Sequence, residues 1–235
     1  MDKIAFLSDL HIPHHDGIML EETINILKVE QPNCIVLGGD ILDFPNLSKY
    51  LQEPNFEKVS TKEAIELCAD FLEQLRRTFP NARIDFVEGN HEFRLRSYPI
   101  RLAPEMFDFI DLPRELQLGI LNINFSSVRG GATKFCDTYT DIDGIKLGHF
   151  DKVNQGSGNT VKNIMRQRGN GNYVQGHTHR AGIVWFTDID KKKYFGVENP
   201  CLCKSPHYTS ATDWQFGFTI IDKTEYGYLP RQILF

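Results

Sequence analysis

Apolar residues fall along this chain in short runs that end abruptly in polar ones. Lys3–Leu7 carries Ile4, Ala5, Phe6 and Leu7 in unbroken succession, the pattern of a strand covered on both faces in a parallel sheet. The run stops at Ser8-Asp9-Leu10-His11. Over Gly17–Glu30 the period changes. Leu20, Ile24 and Leu27 recur at i, i+4 and i+7 and predict a helix, which Pro32-Asn33 breaks. Cys34-Ile35-Val36-Leu37 predicts a second strand, ending in Gly38-Gly39-Asp40. Ser60-Thr61-Lys62-Glu63 is a capping box. Behind it Ala64, Ile65, Cys68, Phe71, Leu72 and Leu75 line one helical face. Pro80-Asn81 closes that segment. Ile84-Asp85-Phe86-Val87 then leads, as a third strand, into Gly89-Asn90-His91-Glu92. Strand, helix, strand, helix, strand in this order implies parallel strands joined by right-handed crossovers.

Beyond Pro99 the texture changes. Tyr98–Leu118 holds three prolines and predicts short helical turns. Ile120–Val128 alternates as a strand does, and Ile145-Lys146-Leu147 makes another that ends at Gly148-His149. Gly158–Arg168 predicts a helix with Val161, Ile164 and Met165 inward and Gly169 as its stop. Tyr173-Val174-Gln175 leads into Gly176-His177-Thr178-His179. The remainder reads as antiparallel strands over Ile183–Ile189, Lys193–Val197, Trp214–Asp222 and Tyr226–Phe235. Phe44–Val59, with Pro45, Pro54, Phe44, Tyr50 and Phe56, reads as an insertion: a surface excursion, or a rim that serves as a lid. With no internal repeat or linker, one domain over residues 1–235 is expected.

Composition narrows the class. Of 235 residues, 41% are hydrophobic and 24% charged, as in ordinary globular proteins. A net charge of −5 argues against a broad nucleic-acid-coating surface. Five cysteines without a repeating framework fit a reduced, cytoplasmic protein. Cys201-Leu202-Cys203 lacks the spacing of a zinc knuckle and reads as packing. The N-terminus enters a strand without a signal-like segment. No run reaches the roughly 18 apolar residues of a membrane span.

Five predicted strand ends carry the candidate chemistry: Asp9 with His11, Asp40, Asn90 with His91, His149, and His177 with His179. Each is unremarkable alone, since Gly-Gly-Asp and Gly-Asn are turns and His-x-His is often two surface histidines. In open α/β sheets, however, ligands bind outside the carboxyl ends of the strands. Five such ends would deliver their side chains to one crevice. In Asp-x-His and His-x-His the two side chains lie on the same side of an extended backbone and can reach one metal or two neighbouring ones. Mixed His and Asp donors without Cys suit Zn, Mn, Fe or Ni.

Asp9-Leu10-His11, Gly39-Asp40-x-x-Asp43, Gly89-Asn90-His91-Glu92, Gly148-His149 and Gly176-His177-Thr178-His179 stand in the order of the calcineurin-like metallophosphoesterases. The sequence resembles that superfamily over residues 9–179. Its Gly-His-Thr-His-Arg and Trp214-x-x-Gly-Phe218 stretches look like those of small phage and bacterial members. The resemblance implies two packed mixed β-sheets flanked by helices, a four-layer α/β sandwich. It implies two divalent transition metals per chain, manganese first, with iron, zinc or nickel as alternatives. Asp9, His11 and His179 would hold the first metal and Asn90, His149 and His177 the second, with Asp40 bridging. His91 would face the substrate, Asp43 would support, and Glu92 would be structural. By that resemblance, two cations would clamp a phosphate and acidify a water to a hydroxide nucleophile, while His91 would protonate the leaving oxygen.

Substrate contacts are sketched more thinly. If a helix starts at Glu92, Arg94 or Arg96 could reach an anion. Lys162, Arg166 and Arg168 flank a later helix whose N-terminus, behind Gly156-Ser157-Gly158, could help bind phosphate. His14 and His15 follow the first motif closely enough to line the pocket; His207 has no assignment. The expected substrate is a small phosphate ester or nucleotide, monoester or diester. The runner-up is a metal-dependent nuclease of the repair type, disfavoured by size and net charge. A non-catalytic metal-stabilised scaffold is a third reading, weakened because every ligand and His91 are present.

Overall fold

A computed structural model describes residues 2–49, 59–128, 133–204 and 213–235. Its first half follows the hydrophobic pattern closely. Strand β1 is Lys3–Leu7, helix α1 is Gly17–Glu30 and β2 is Cys34–Gly38. Helix α2 spans Thr61–Thr78, β3 Arg83–Val87 and α3 Glu92–Leu102. A single turn, α4 at Leu112–Glu115, precedes β4, Ile123–Ser126. Then come β5 (Thr138–Ile142), β6 (Ile145–His149), α5 (Asn159–Arg168) and β7 (Asn172–Gln175). The chain finishes with β8 (Gly182–Thr187), β9 (Lys193–Glu198), β10 (Gly217–Thr224) and β11 (Gly227–Leu234). Caps fix the long helices: Asp16 accepts from the N–H groups of Ile18 and Met19 at α1, and Ser60 from Glu63 at α2.

Two sheets result. One runs β11-β10-β1-β2-β3-β4, with β1 to β4 parallel and the β10–β11 hairpin antiparallel against β1. The other runs β5-β6-β7-β9-β8. Alternation within the strands makes three apolar layers. Ala5, Leu7, Ile35 and Leu37 face Leu27, Ala64, Cys68 and Leu72 of α1 and α2. Ile4, Phe6, Val36 and Val87 meet Leu147, Val174, Phe195 and Val197 of the second sheet. Tyr173 packs against Val161, Ile164 and Met165 of α5. This is a four-layer sandwich, helix–sheet–sheet–helix, as expected.

Polar clasps pin the two sheets together. The Asp85 carboxylate on β3 accepts from Arg83 (2.9 and 2.7 Å), from Asn124 of β4 (2.7 Å) and from Thr140 of β5 in the other sheet (2.6 Å). Burial works to raise the Asp85 pKa, but these hydrogen bonds and the Arg83 charge outweigh it and hold it low. Asn199 forms a second clasp, donating to Ser8 (2.9 Å) and accepting from Thr219 (2.7 Å).

Several expectations need correction. The strand read over Ile120–Val128 begins only at Ile123, after a series of turns. Strand β5 carries no apolar alternation, because its inward positions include Thr138 and Thr140. The C-terminal region is not wholly antiparallel: β9 pairs in parallel with β7. Of the Phe44–Val59 insertion, Pro45–Leu47 forms a 3-10 turn with Phe44 and Pro45 buried. Tyr50 and Phe56, and with them the lid reading, lie outside the described residues, as does His207. No described helix is long and apolar enough to cross a membrane.

Candidate metal centre

The carboxyl ends of β1, β2 and β3 in one sheet and of β6 and β7 in the other open onto the same crevice, as ligand sites do in open α/β sheets. The loops there are short and turn sharply. Asp9, His11, Asp40, His177 and His179 all adopt positive φ, between 51° and 78°. Left-handed backbone at non-glycine residues costs free energy and persists where the surroundings enforce it, commonly at functional sites. Two glycines allow the close approach. A Cβ on Gly89 would sit 2.2 Å from Asp40 Oδ1, and Gly39, at φ +88°, would place one 2.6 Å from the His149 ring.

Two groups of donors result. In the first, His179 Nε2 lies 3.3 Å from Asp9 Oδ1 and 3.3 Å from His11 Nε2. In the second, His149 Nε2 lies 2.9 Å from Asn90 Oδ1, 3.1 Å from His177 Nδ1 and 3.3 Å from Asp40 Oδ2. Asp40 Oδ2 is also 4.0 Å from His11 Nε2, so this one oxygen stands between the groups. Its other oxygen is occupied, accepting from the His91 backbone N–H at 2.8 Å. Asp9 is held likewise by the His177 N–H at 3.0 Å. All seven residues singled out as ligands therefore meet in one place.

Asp9 and Asp40 are buried, with 0% and 2% of their surface exposed. Burial acts to raise both pKa values, yet the neighbouring histidines hold them below the usual carboxylate range. Burial also acts against charged His149 and His179, but Asp40 and Asp9 outweigh it. His149 is pushed up to about 9 and His179 to about 10. His11, through burial and the nearby His91, falls to about 3, and His177, through burial and His149, to about 4. The carboxylates draw positive charge into a buried pocket where several lone pairs converge on single nitrogens. That donor set fits divalent cations.

His91 stands apart from the converging atoms in its bonding, although it lies within reach of His11 and Asp40. Its Nδ1–H donates to Asp43 Oδ1 at 2.8 Å, and its Nε2 accepts from Arg94 Nη2 at 2.8 Å. Arg94 Nη1 also donates to Asp43, at 2.9 Å. Both ring nitrogens are therefore engaged, by Asp43 and by Arg94. His91 and Arg94 sit three apart at the start of α3, a spacing that places side chains together and that is legible in the sequence. Arg96 belongs elsewhere: it pairs with Glu88 (3.0 and 2.5 Å) and the Val128 carbonyl.

Three other expectations are resolved. Glu92 is wholly buried and ties the loops: its carboxylate accepts from the N–H groups of Asp40 (3.0 Å), Leu42 (2.7 Å) and Gly89 (2.8 Å). Burial and the Asp40 charge raise its pKa to about 8. The α5 N-terminus is not a phosphate site. The buried Glu198 carboxylate already accepts from Gly158, Thr160 and Val161 N–H at 3.0, 2.7 and 3.2 Å. The turn through His14 and His15 follows His11, but neither imidazole enters the groups of converging donors found among the described residues.

The sequence model of calcineurin-like phosphoesterases matches residues 2–204. The Gene 54 proteins of Mycobacterium phages D29 and L5 are each 26% identical to this chain, over 232 and 228 residues. Each alignment covers 93% of this chain and 88% of the phage protein. Among solved structures, a dimetal phosphatase from Danio rerio aligns at 11% identity over 98% of this chain and 95% of its own, with a TM-score of 0.46. Vps29 from Cryptosporidium parvum aligns at 13% identity over 100% and 97%, with a TM-score of 0.46. The phosphoesterase YfcE from E. coli aligns at 14% identity over 98% of each chain, with a TM-score of 0.39.

Proposed function

Because the chain belongs to the calcineurin-like phosphoesterase family, we propose that it hydrolyses small phosphate esters, nucleotides among them, at a dinuclear metal centre. The observation that carries the reading is Asp40 Oδ2, which lies between two clusters of His, Asp and Asn donors. Asp9, His11 and His179 would hold one cation, Asn90, His149 and His177 the other, and Asp40 both. Manganese is proposed first, with iron, zinc or nickel as alternatives. Bound cations supply a Lewis acid for the phosphoryl oxygens and lower the pKa of a water that attacks phosphorus.

The remaining work falls to side chains. His91 is proposed as the proton donor to the leaving oxygen, with Asp43 fixing its ring through Nδ1. In the present arrangement Arg94 occupies the Nε2 that must carry that proton. A substrate phosphate would draw the Arg94 guanidinium onto its own oxygens. That movement would free Nε2 to take up a proton from water and pass it to the leaving oxygen, so Arg94 would bind substrate and release His91 in one motion.

The test is a substrate panel on purified protein of measured metal content. The expected result is about two transition metals per chain and turnover of p-nitrophenyl phosphate or its bis-ester, the faster of the two giving the ester class. Linear and single-stranded DNA in the same panel test the nuclease reading. Protein that binds no metal, and gains no thermal stability with manganese, overturns the proposal.

A further inference from the structure

The Cys201-Leu202-Cys203 segment, read from sequence as packing, runs directly beneath the first donor group. Leu202 N–H donates to the Asp9 carbonyl at 3.2 Å, and its own carbonyl accepts from Asp16 at 3.0 Å. Cys201 exchanges backbone hydrogen bonds with Gln215 and Gly217, and Cys203 bridges His15. The segment is thus stitched to the loop that carries Asp9 and His11, and its side chains are fixed accordingly. Cys203 is 3% exposed, and its Sγ lies 3.9 Å from His179 Nδ1. The Cys201 thiol is directed to the Gln215 carbonyl at 3.6 Å.

His179 is therefore held from several sides, with the Cys201 thiol also among its partners. Its Nε2 faces Asp9 and His11. The Trp214 ring packs edge-on, with centroids 4.1 Å apart. The Cys203 sulfur stands at the second ring nitrogen. A neutral imidazole has one N–H and one lone pair, and the partner of one nitrogen decides what the other presents. Metal-binding histidines commonly give the second N–H to a carboxylate, a backbone carbonyl or water. Here a thiol stands in that place.

We infer that Cys203 is a positioning residue for His179: its sulfur accepts the Nδ1–H and so turns the Nε2 lone pair toward Asp9 and His11. The inference rests on the metal-centre reading above. It assigns Cys203 to the first donor group alone: among the described residues Cys203 converges with His11 and His179, and not with His149 and His177.

The experiment titrates metal-free protein with zinc against a chromophoric chelator. Wild type is expected to bind two ions. Cys203→Ala weakens one of the two sites by about 10- to 100-fold, the usual effect of losing such a partner, and leaves the other unchanged. Cys203→Ser, which restores an acceptor, recovers most of the loss. Cys203→Val fills the volume without an acceptor and repeats the alanine result, so the test survives if the alanine variant is unstable. Cys68→Ala, a fully buried thiol on α2, leaves both affinities as they are. Wild-type affinities in both the alanine and valine variants overturn the inference, as does a serine variant no better than valine. An intense near-ultraviolet sulfur-to-cobalt band in cobalt-loaded wild type, absent from Cys203→Ser, also overturns it by making Cys203 a ligand. A wild type that binds no metal overturns the metal-centre reading and this inference with it.

Discussion

Replacing Glu92 by Ala removes the acceptor shared by three backbone N–H groups that no solvent reaches. Each buried donor left unsatisfied costs about 1–3 kcal/mol. Three such donors give an upper sum of about 9 kcal/mol. Two effects reduce it. The carboxylate is itself costly where it stands, since burial and Asp40 have raised its pKa to about 8, and a water can enter the vacated space. A net loss of about 3–6 kcal/mol is expected, a large share of the roughly 5–15 kcal/mol of an ordinary domain. Glu92→Gln keeps one carbonyl oxygen for Asp40 and Gly89 but turns an NH₂ toward the Leu42 N–H, and should lose about 1–3 kcal/mol. Urea unfolding of metal-free protein near neutral pH, followed by circular dichroism, measures both. An alanine variant within about 1 kcal/mol of wild type would refute the view that Glu92 is what holds the Asp40 and Gly89 loops together.

Three further substitutions test Asp85, His91 and Asp40. The Asp85 carboxyl is held below its ordinary value in the folded state, so the stability it contributes is complete above about pH 4 and is lost as pH falls through the lower folded value. Asp85→Asn should therefore lower the urea midpoint at neutral pH and flatten its fall in acid; an unchanged acid limb counts against the clasp. His91→Ala should keep both metals yet lose about 10²–10⁴ in turnover, whereas Asp40→Ala should lose both metals, as metal analysis beside a p-nitrophenyl phosphate assay will tell.

The ligand candidates were legible because each closes a run of apolar residues, and the ends of parallel strands converge whatever the details of packing. The same logic reached the first five elements with bounds close to those observed. It failed where burial does not require an apolar side chain. Thr138 and Thr140 face inward, with Thr140 satisfied by Asp85 across the sheet boundary, so β5 had no hydrophobic signature. Glu198 reads as an ordinary charge at a strand end, and only the fold brings it to the α5 N-terminus to displace the imagined phosphate. Cys203 was judged by its spacing to its neighbour in sequence, and its contact with His179, 24 positions away, is one that only the fold brings about. Positive φ at five of the seven ligand candidates was likewise invisible, since Asp and His give little local warning of it.

The place of β10 has a consequence for assembly. The strand that flanks β1 opposite β2 comes from Gly217–Thr224, with Lys3 across from Asp222. Closing so long a loop is entropically costly, and folds dominated by such pairings form slowly. During synthesis every ligand candidate up to His179 would leave the ribosome while one margin of β1 still lacks its partner. An unpaired margin invites association with other strands. The β10–β11 hairpin, remote from the ligand candidates in sequence, is thus the closing seam: until it docks, a chain that already carries all of those candidates still has an unpaired strand edge.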